Sequence, residues 1–159
     1  MGSYESWARN FKSTIDEVLA LYESQNANLE GILSTLNDEF WNKFKRPEDI
    51  EGFSGDLFFE KIAQLALNSA EKATGKDAKE IANSCYELGL RKNKDYGADN
   101  ILKFGTMGLI VRIGDKINRL NNLIKNGTAA VTEEKLVDTI EDIFNYAVYG
   151  IMLSRGKWF

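Results

Sequence analysis

The 159-residue chain contains no histidine. This absence excludes catalytic triads, histidine-mediated proton transfer near neutral pH, and zinc sites with imidazole ligands. Cys85 is the only cysteine, which excludes an internal disulfide and a thiolate metal cluster. Any chemistry must therefore use carboxylates, lysine, arginine or tyrosine, and any metal would be a hard, oxygen-liganded ion such as Mg²⁺.

Proline and long apolar runs are also scarce. Pro47 is the only proline, and because proline breaks helices, the chain can be helical through most of its length. No stretch approaches the roughly eighteen consecutive apolar residues of a membrane-spanning helix. The N-terminus also lacks the basic and then apolar pattern of a secretory signal. We therefore expect a cytoplasmic protein that does not enter a membrane.

The net charge of −4 is distributed unevenly along the chain. Residues 1–76 contain 8 basic and 13 acidic side chains, whereas residues 77–159 contain 12 and 11. Neither half has a basic tract of the kind that binds duplex nucleic acid. The charge pattern therefore favours a small anionic ligand over DNA.

Apolar residues recur at three- and four-residue spacing over most of the sequence, which predicts an all-α, single-domain bundle of about six helices. The predicted helices cover about 4–24, 28–45, 55–74, 78–93, 105–126 and 132–154. Asp77 and Thr132 are the expected caps of the fourth and sixth helices. Residues 94–103 lack helical periodicity and contain Gly97, so we predict a structured loop there.

The helix predicted at 105–126 has a row of cations beside its apolar face. At 100° per residue, Arg112, Lys116 and Arg119 share this cationic stripe, with Asp115 beside them. Arginine presents a planar fork of donors that suits phosphate or carboxylate oxygens. The alternative is a solvated face, in which Asp115 pairs with Arg112 or Arg119 within the helix for ~0.3–0.5 kcal/mol each.

The last predicted helix has an acidic stripe opposite its apolar face, formed by Glu134, Asp138, Asp142 and Asn145. Carboxylates at four-residue spacing can converge on one hard cation, which makes Asp138 and Asp142 candidate Mg²⁺ ligands. In the alternative interpretation, these carboxylates bridge to the cationic stripe across a helix interface and lock the two helices together. The same stripe continues to Tyr149 and Met152, which indicates that part of it is covered.

Several short motifs are more specific than these stripes. They are Lys94-Asp95-Tyr96-Gly97, the region Phe104 to Leu120, the region Asp138 to Ala147, and Arg155-Gly156-Lys157-Trp158. In this order they resemble the nucleotide-modification-associated domain proteins frequent in bacteriophages. That helical family is similar in turn to the MazG-like all-α nucleoside triphosphate pyrophosphohydrolases. The resemblance covers about residues 80–158, so we treat 77–159 as a nucleotide-binding-like helical domain. Residues 1–76 are N-terminal helices of unknown role, which we expect to be integral to the bundle, with an interface or a lid as the alternatives.

The resemblance implies a nucleotide or nucleotide-derived ligand. Its phosphates would lie on Arg112, Lys116 and Arg119, with Mg²⁺ on Asp138 and Asp142. Further ligand contacts would come from Lys94 and Asn145, and Tyr96 or Tyr146 would stack on a base.

The resemblance also bears on catalysis. If a reaction follows, it is cleavage between the α- and β-phosphates, with Asp115, Glu134 or a metal-bound water as the base. MazG-like enzymes usually pair a Glu-x-x-Glu with a Glu-x-x-Asp, whereas the acidic stripe here has four-residue spacing. This departure favours holding a nucleotide over hydrolysing one.

Three functions remain open at this point. The protein could be a pyrophosphohydrolase, a non-catalytic binder that sequesters a nucleotide signal of host defence, or a helical adaptor. Relatives of this kind are usually oligomers, so we expect a homo-oligomer, in the host cytoplasm if a phage encodes it. Neither duplex nucleic acid nor a membrane is an expected partner.

Overall fold

The computed structural model describes residues 4–96, 99–126 and 129–159, with the side chains of residues 95, 96, 99 and 129–132 left out. Within these ranges the chain forms eight helices and no strand, which confirms the all-α, single-domain prediction. The helices are α1 (Tyr4–Leu21), α2 (Leu29–Lys43), α3 (Pro47–Ile50), α4 (Asp56–Thr74), α5 (Ala78–Tyr96), α6 (Asp99–Leu102), α7 (Gly105–Asn126) and α8 (Ala129–Ser154). The predicted number of six counts the long helices alone, because α3 and α6 have four residues each.

Local sequence signals explain several of these boundaries. The Asn28 side chain accepts a hydrogen bond from the Gly31 amide at 2.8 Å and so begins α2. Asp77 does the same for the Glu80 amide at 2.8 Å, which confirms the predicted cap of α5. Gly75 ends α4 in the left-handed conformation, with φ of 74°, which glycine adopts without steric cost.

Two predicted boundaries are wrong. Helix α5 continues to Tyr96, so residues 94–96 are helical, and α6 occupies much of the remaining predicted loop. No glycine or proline interrupts α5 between Leu90 and Tyr96, which leaves the helix free to continue. Helix α8 begins at Ala129, so Thr132 lies inside the helix instead of capping it. The alanines at 129 and 130 are strong helix formers and extend the first turn.

Helix α8 is the centre of the bundle and packs against α1, α4, α5 and α7. At Gly150 of α8, a Cβ atom would lie 2.5 Å from ring atoms of Phe59 on α4. A glycine is therefore required at this position for the two helices to pack this closely. Since α4 belongs to the first 76 residues, the N-terminal helices share a core with the C-terminal ones.

Aromatic residues form two clusters in this core. Trp7, Phe11, Tyr149 and Trp158 form one cluster, and Phe40, Phe44, Phe53, Phe58 and Phe59 form the other. Within the residues that the structure describes, no helix has the length and apolar character needed to span a bilayer.

Candidate functional site

Helices α7 and α8 lie side by side in opposite directions. The guanidinium carbon of Arg112 lies 5.9 Å from the centre of the Tyr146 ring. One turn further along α7, Lys116 Nζ lies 3.2 Å from Asp142 Oδ2, one turn back along α8. The same register puts Lys135 of α8 level with Leu123 of α7.

A groove of about 750 Å³ runs along this helix pair, within the usual size range of ligand sites. We call it the α7–α8 groove. Its lining residues are Arg112, Asp115, Lys116, Asn118, Arg119, Asn122, Leu123, Asn126, Lys135 and Tyr146. The structure thus brings together five of the predicted site residues: Arg112, Asp115, Lys116, Arg119 and Tyr146.

The lining of the groove carries four cations and one carboxylate. Within the described ranges, Arg112, Arg119 and Lys135 form no ion pair, and neither does Asp115. The intrahelical pairs expected between Asp115 and the two arginines are therefore not formed. The consequence is a concave surface with unneutralised positive charge, which attracts anions.

Arg112 is oriented by an aromatic neighbour. Its guanidinium group lies over the Tyr146 ring, and such cation–π contacts contribute about 0.5–1 kcal/mol at exposed sites. Stacking leaves the edge of the guanidinium group available for hydrogen bonds to a ligand. One face of the Tyr146 ring is thereby covered, and the stacking of a base on this ring stays a prediction.

The acidic stripe lies beside the groove, and none of its four residues is part of the groove lining. Asp142 accepts bonds from Lys92 of α5 at 2.8 Å and Lys116 of α7 at 3.2 Å. Its carboxylate is 13% exposed and joins three helices. The predicted charge network between helices therefore exists at one position, and Lys116 belongs to both this network and the groove.

Asn145 does not line the groove. It is buried, and its Nδ2 donates a hydrogen bond to the carbonyl of Cys85 on α5 at 2.9 Å. Tyr149 and Met152 are buried as well, which confirms that part of the stripe is covered. The sequence placed Asn145 on the acidic stripe correctly but could not show that α5 packs over it.

Glu134 and Asp138 are exposed on α8 and also lie outside the groove lining. In the part of the chain that the structure describes, no three carboxylate or cysteine side chains come together as a metal-binding group. Asp142 is already paired with two lysines, whose positive charges would repel a cation. Mg²⁺ binding by Asp138 and Asp142 therefore stays a prediction.

The contact between α5 and α8 contains the only cysteine. The Glu141 carboxylate accepts a hydrogen bond from Ser84 Oγ at 2.9 Å and a weaker one from Cys85 Sγ at 3.8 Å. Burial and the adjacent Glu141 charge raise the pKa of the Cys85 thiol well above its ordinary value. A neutral, buried thiol is unreactive, so Cys85 has a structural role.

Two predicted ligand residues, Lys94 and Tyr96, belong to the last turn of α5. Lys94 is exposed in the last turn of α5 and does not line the groove. The side chain of Tyr96 lies outside the described residues. Their predicted contacts to a ligand therefore stay predictions.

Sequence reasoning missed five residues of this region: Lys92, Asn118, Asn122, Asn126 and Lys135. Lys135 could have been predicted from the sequence, because it precedes Tyr146 by three helical turns and so lies on the same face of α8. The three asparagines could also have been predicted, because they recur at four-residue spacing on α7, the helix that carries the cationic stripe. No sequence pattern indicated Lys92, because its contact with Asp142 depends on how α5 packs against α8.

Comparison with known proteins supports part of the resemblance. The sequence profile of a family described as nucleotide modification associated domain 1 matches residues 92–153. This stretch contains α7 and nearly all of α8, and with them every residue that lines the groove. No curated protein and no solved structure matches the chain.

Proposed function

We propose that this protein binds a nucleotide or nucleotide-derived ligand in the α7–α8 groove. The observation that carries the proposal is the concentration of four cations and one carboxylate along a concave surface. A solvated charged face is normally convex and balanced by intrahelical pairs, and this surface is neither. The family match over residues 92–153 supports a role connected with nucleotides.

The cationic end of the groove suits the phosphates. Arg112, Lys116 and Arg119 are spaced by one turn along α7, so they can contact successive phosphoryl groups of a linear chain. Hydrogen bonds to charged groups contribute about 1.5–3 kcal/mol each. Three such bonds at the upper end of this range approach the ~8 kcal/mol of micromolar binding.

Holding a nucleotide is better supported than cleaving one. Asp115 is the one carboxylate in the described lining of the groove, and the other predicted base, Glu134, lies outside that lining. We therefore propose binding as the function and treat α–β phosphate cleavage as a second result for the same experiment to detect.

Isothermal titration calorimetry with ATP and with inorganic tripolyphosphate tests this proposal. Titrations in EDTA and in MgCl₂ separate direct binding from metal-dependent binding, and chromatography of the ligand afterwards detects cleavage. We expect binding in EDTA and unchanged ligand. Release of pyrophosphate from ATP in MgCl₂ would instead identify an enzyme, and heat changes no larger than those of dilution would overturn the proposal.

Arg119→Ala and Arg91→Ala form a matched pair of variants. Both arginines are exposed on helices, but Arg119 lines the groove and Arg91 does not. Loss of one charged hydrogen bond predicts affinity lower by about ten- to a hundredfold for Arg119→Ala. Arg91→Ala should bind like the wild type, and equal weakening by both changes would point to nonspecific attraction by surface charge.

A further inference from the structure

The far end of the α7–α8 groove has a different chemistry from its cationic end. In the last two turns of α7, Asn122, Leu123 and Asn126 line the groove, and Lys135 lies level with Leu123. An amide side chain both donates and accepts hydrogen bonds, and Leu123 adds a half-buried apolar surface between the two amides. This combination suits a flat, polar-edged group better than it suits phosphate.

These asparagines are not explained by the fold. Within the described chain, Asn118, Asn122 and Asn126 make no side-chain hydrogen bond. Asn121, between them in sequence, faces α2 and donates to Asn37 at 2.9 Å. Asparagine is a poorer helix former than alanine, so residues such as Asn122 lower the stability of α7 without a compensating internal contact.

We propose that Asn122 and Asn126, together with Leu123, bind the nucleobase of a nucleotide whose phosphates lie on Arg112 and Arg119. This assignment rests on the proposed nucleotide-binding function and deepens it. Paired amides can contact the edge of a base through one donor and one acceptor, as asparagine does with adenine in DNA recognition. Leu123 would contact the face of the ring.

The dimensions of the groove agree with this assignment. The fourteen helical steps from Arg112 to Asn126 rise by about 21 Å along the axis of α7. A cluster of phosphates alone needs only the first part of that length, near Arg112, Lys116 and Arg119. The remaining two turns of α7 are thus available to the nucleoside part of an extended ligand.

Comparison of nucleotides with a base-free ligand tests the assignment. The ligands are ATP, GTP, CTP, UTP and inorganic tripolyphosphate, titrated into wild-type protein and Asn122→Ala in EDTA. Tripolyphosphate carries the phosphate groups and no base, so contacts at the amide end should favour the best nucleotide by about tenfold or more. Asn122→Ala should remove most of that advantage and leave the affinity for tripolyphosphate within about twofold of the wild-type value.

Three results would overturn the assignment. One is a wild-type protein that binds no nucleotide more tightly than tripolyphosphate, and another is equal weakening of all five ligands by Asn122→Ala. Equal loss for the four nucleotides, with their ranking unchanged, would assign the amide to the sugar instead of the base. If neither nucleotides nor tripolyphosphate bind, the proposed function itself fails, so the two failures are distinguishable.

Asn121→Ala and Tyr146→Leu complete the set of variants. Asn121→Ala removes an adjacent amide on the opposite side of α7 and should leave all five affinities unchanged. Both asparagine changes increase helix propensity, so loss of binding by unfolding is not expected.

Tyr146→Leu removes the ring beneath Arg112 and should weaken the binding of tripolyphosphate and nucleotides alike. A loss confined to nucleotides in Tyr146→Leu, but absent from Asn122→Ala, would place the base on Tyr146 and contradict the assignment.

Discussion

Charged and polar groups lie on two sides of helix α8, and the two sides differ in how those groups are satisfied. On the side that faces α5, Asp142 binds two lysines, Glu141 accepts from Ser84, and Asn145 donates to a backbone carbonyl, although its Oδ1 has no partner among the described residues. On the groove side, Arg112, Arg119 and Lys135 form no ion pair with any described residue. The sequence pattern shows both sides only as rows of charged residues and does not distinguish them.

This difference separates structural charges from charges available to a ligand. Polar groups between packed helices lose water, and the protein must supply their partners. Groups in an open groove keep their water until a ligand displaces it, so their lack of internal partners carries no cost. The groove is therefore the better candidate site, although the acidic stripe has the more metal-like pattern in sequence.

The largest expected effect comes from reversing the charge on the groove side. In the double variant Arg112→Glu and Arg119→Glu, two cationic contacts become repulsive, so affinity for tripolyphosphate should fall by at least about a thousandfold. Both side chains are accessible and outside the core, so the thermal midpoint should change little. Calorimetry and thermal unfolding on the same samples check both statements, and retained affinity would show that the ligand lies elsewhere.

On the α5 side, Cys85 should be protected from alkylation. The thiol is fully buried, and burial together with Glu141 raises its pKa, so little thiolate is exposed at pH 8. We expect iodoacetamide to label the native protein at least about a hundred times more slowly than the protein in denaturant, because labelling requires local opening. Mass spectrometry over time measures both rates, and rapid labelling of the native protein would contradict the packing of α5 on α8.

The same raised pKa predicts a pH dependence of stability. The unfolded thiol ionises near its ordinary pKa of about 8.5, whereas the folded thiol stays neutral to higher pH. The contribution of Cys85 to stability is therefore fully present below about pH 8 and declines as the pH rises above that value. Cys85→Ala should show a shallower decline of the thermal midpoint between about pH 8 and 10. An identical decline in both proteins would contradict this account.

The smallest expected effect is that of Asp142→Asn. Removing this charge breaks two partly exposed ion pairs and should lower the free energy of unfolding by about 1 kcal/mol or less. Lys116 loses a competing anion, so the affinity for tripolyphosphate should stay within about threefold of wild type or rise slightly. If Asp142 instead holds Mg²⁺, the variant would lose about tenfold or more in ATP affinity in MgCl₂ but not in EDTA. That result would restore the metal interpretation of the acidic stripe.

The sequence predicted the long helices well, because each depends on local periodicity and nearby caps such as Asp77 and Gly75. Helix α7 was predicted with its observed limits, 105–126. The failures came where a boundary had no strong stop signal, as between Lys94 and Tyr96, or where helix formers precede the apparent cap, as at Thr132. In both cases helix propensity continued the helix further than the pattern indicated.

The candidate site was predictable only within single helices. The 100° rotation per residue placed Arg112, Lys116 and Arg119 together, and the structure agrees. It could not show which neighbour covers each face of α8, so the contacts of Asn145 and Asp142 with α5 were not predicted. The contribution of Lys135 depends in turn on the register between α7 and α8. Tertiary contacts, which no single helix encodes, decide these assignments.

Mapping of chemical shifts by NMR tests the central claim most directly. Amide and side-chain spectra of labelled protein would be recorded during titration with ATP in EDTA. We predict that the largest shifts occur along α7 from Arg112 to Asn126 and at Lys135 and Tyr146, with little change at Cys85 and Asn145. Shifts concentrated on the α5 side of α8, with the groove residues unchanged, would contradict the assignment of the ligand to the α7–α8 groove.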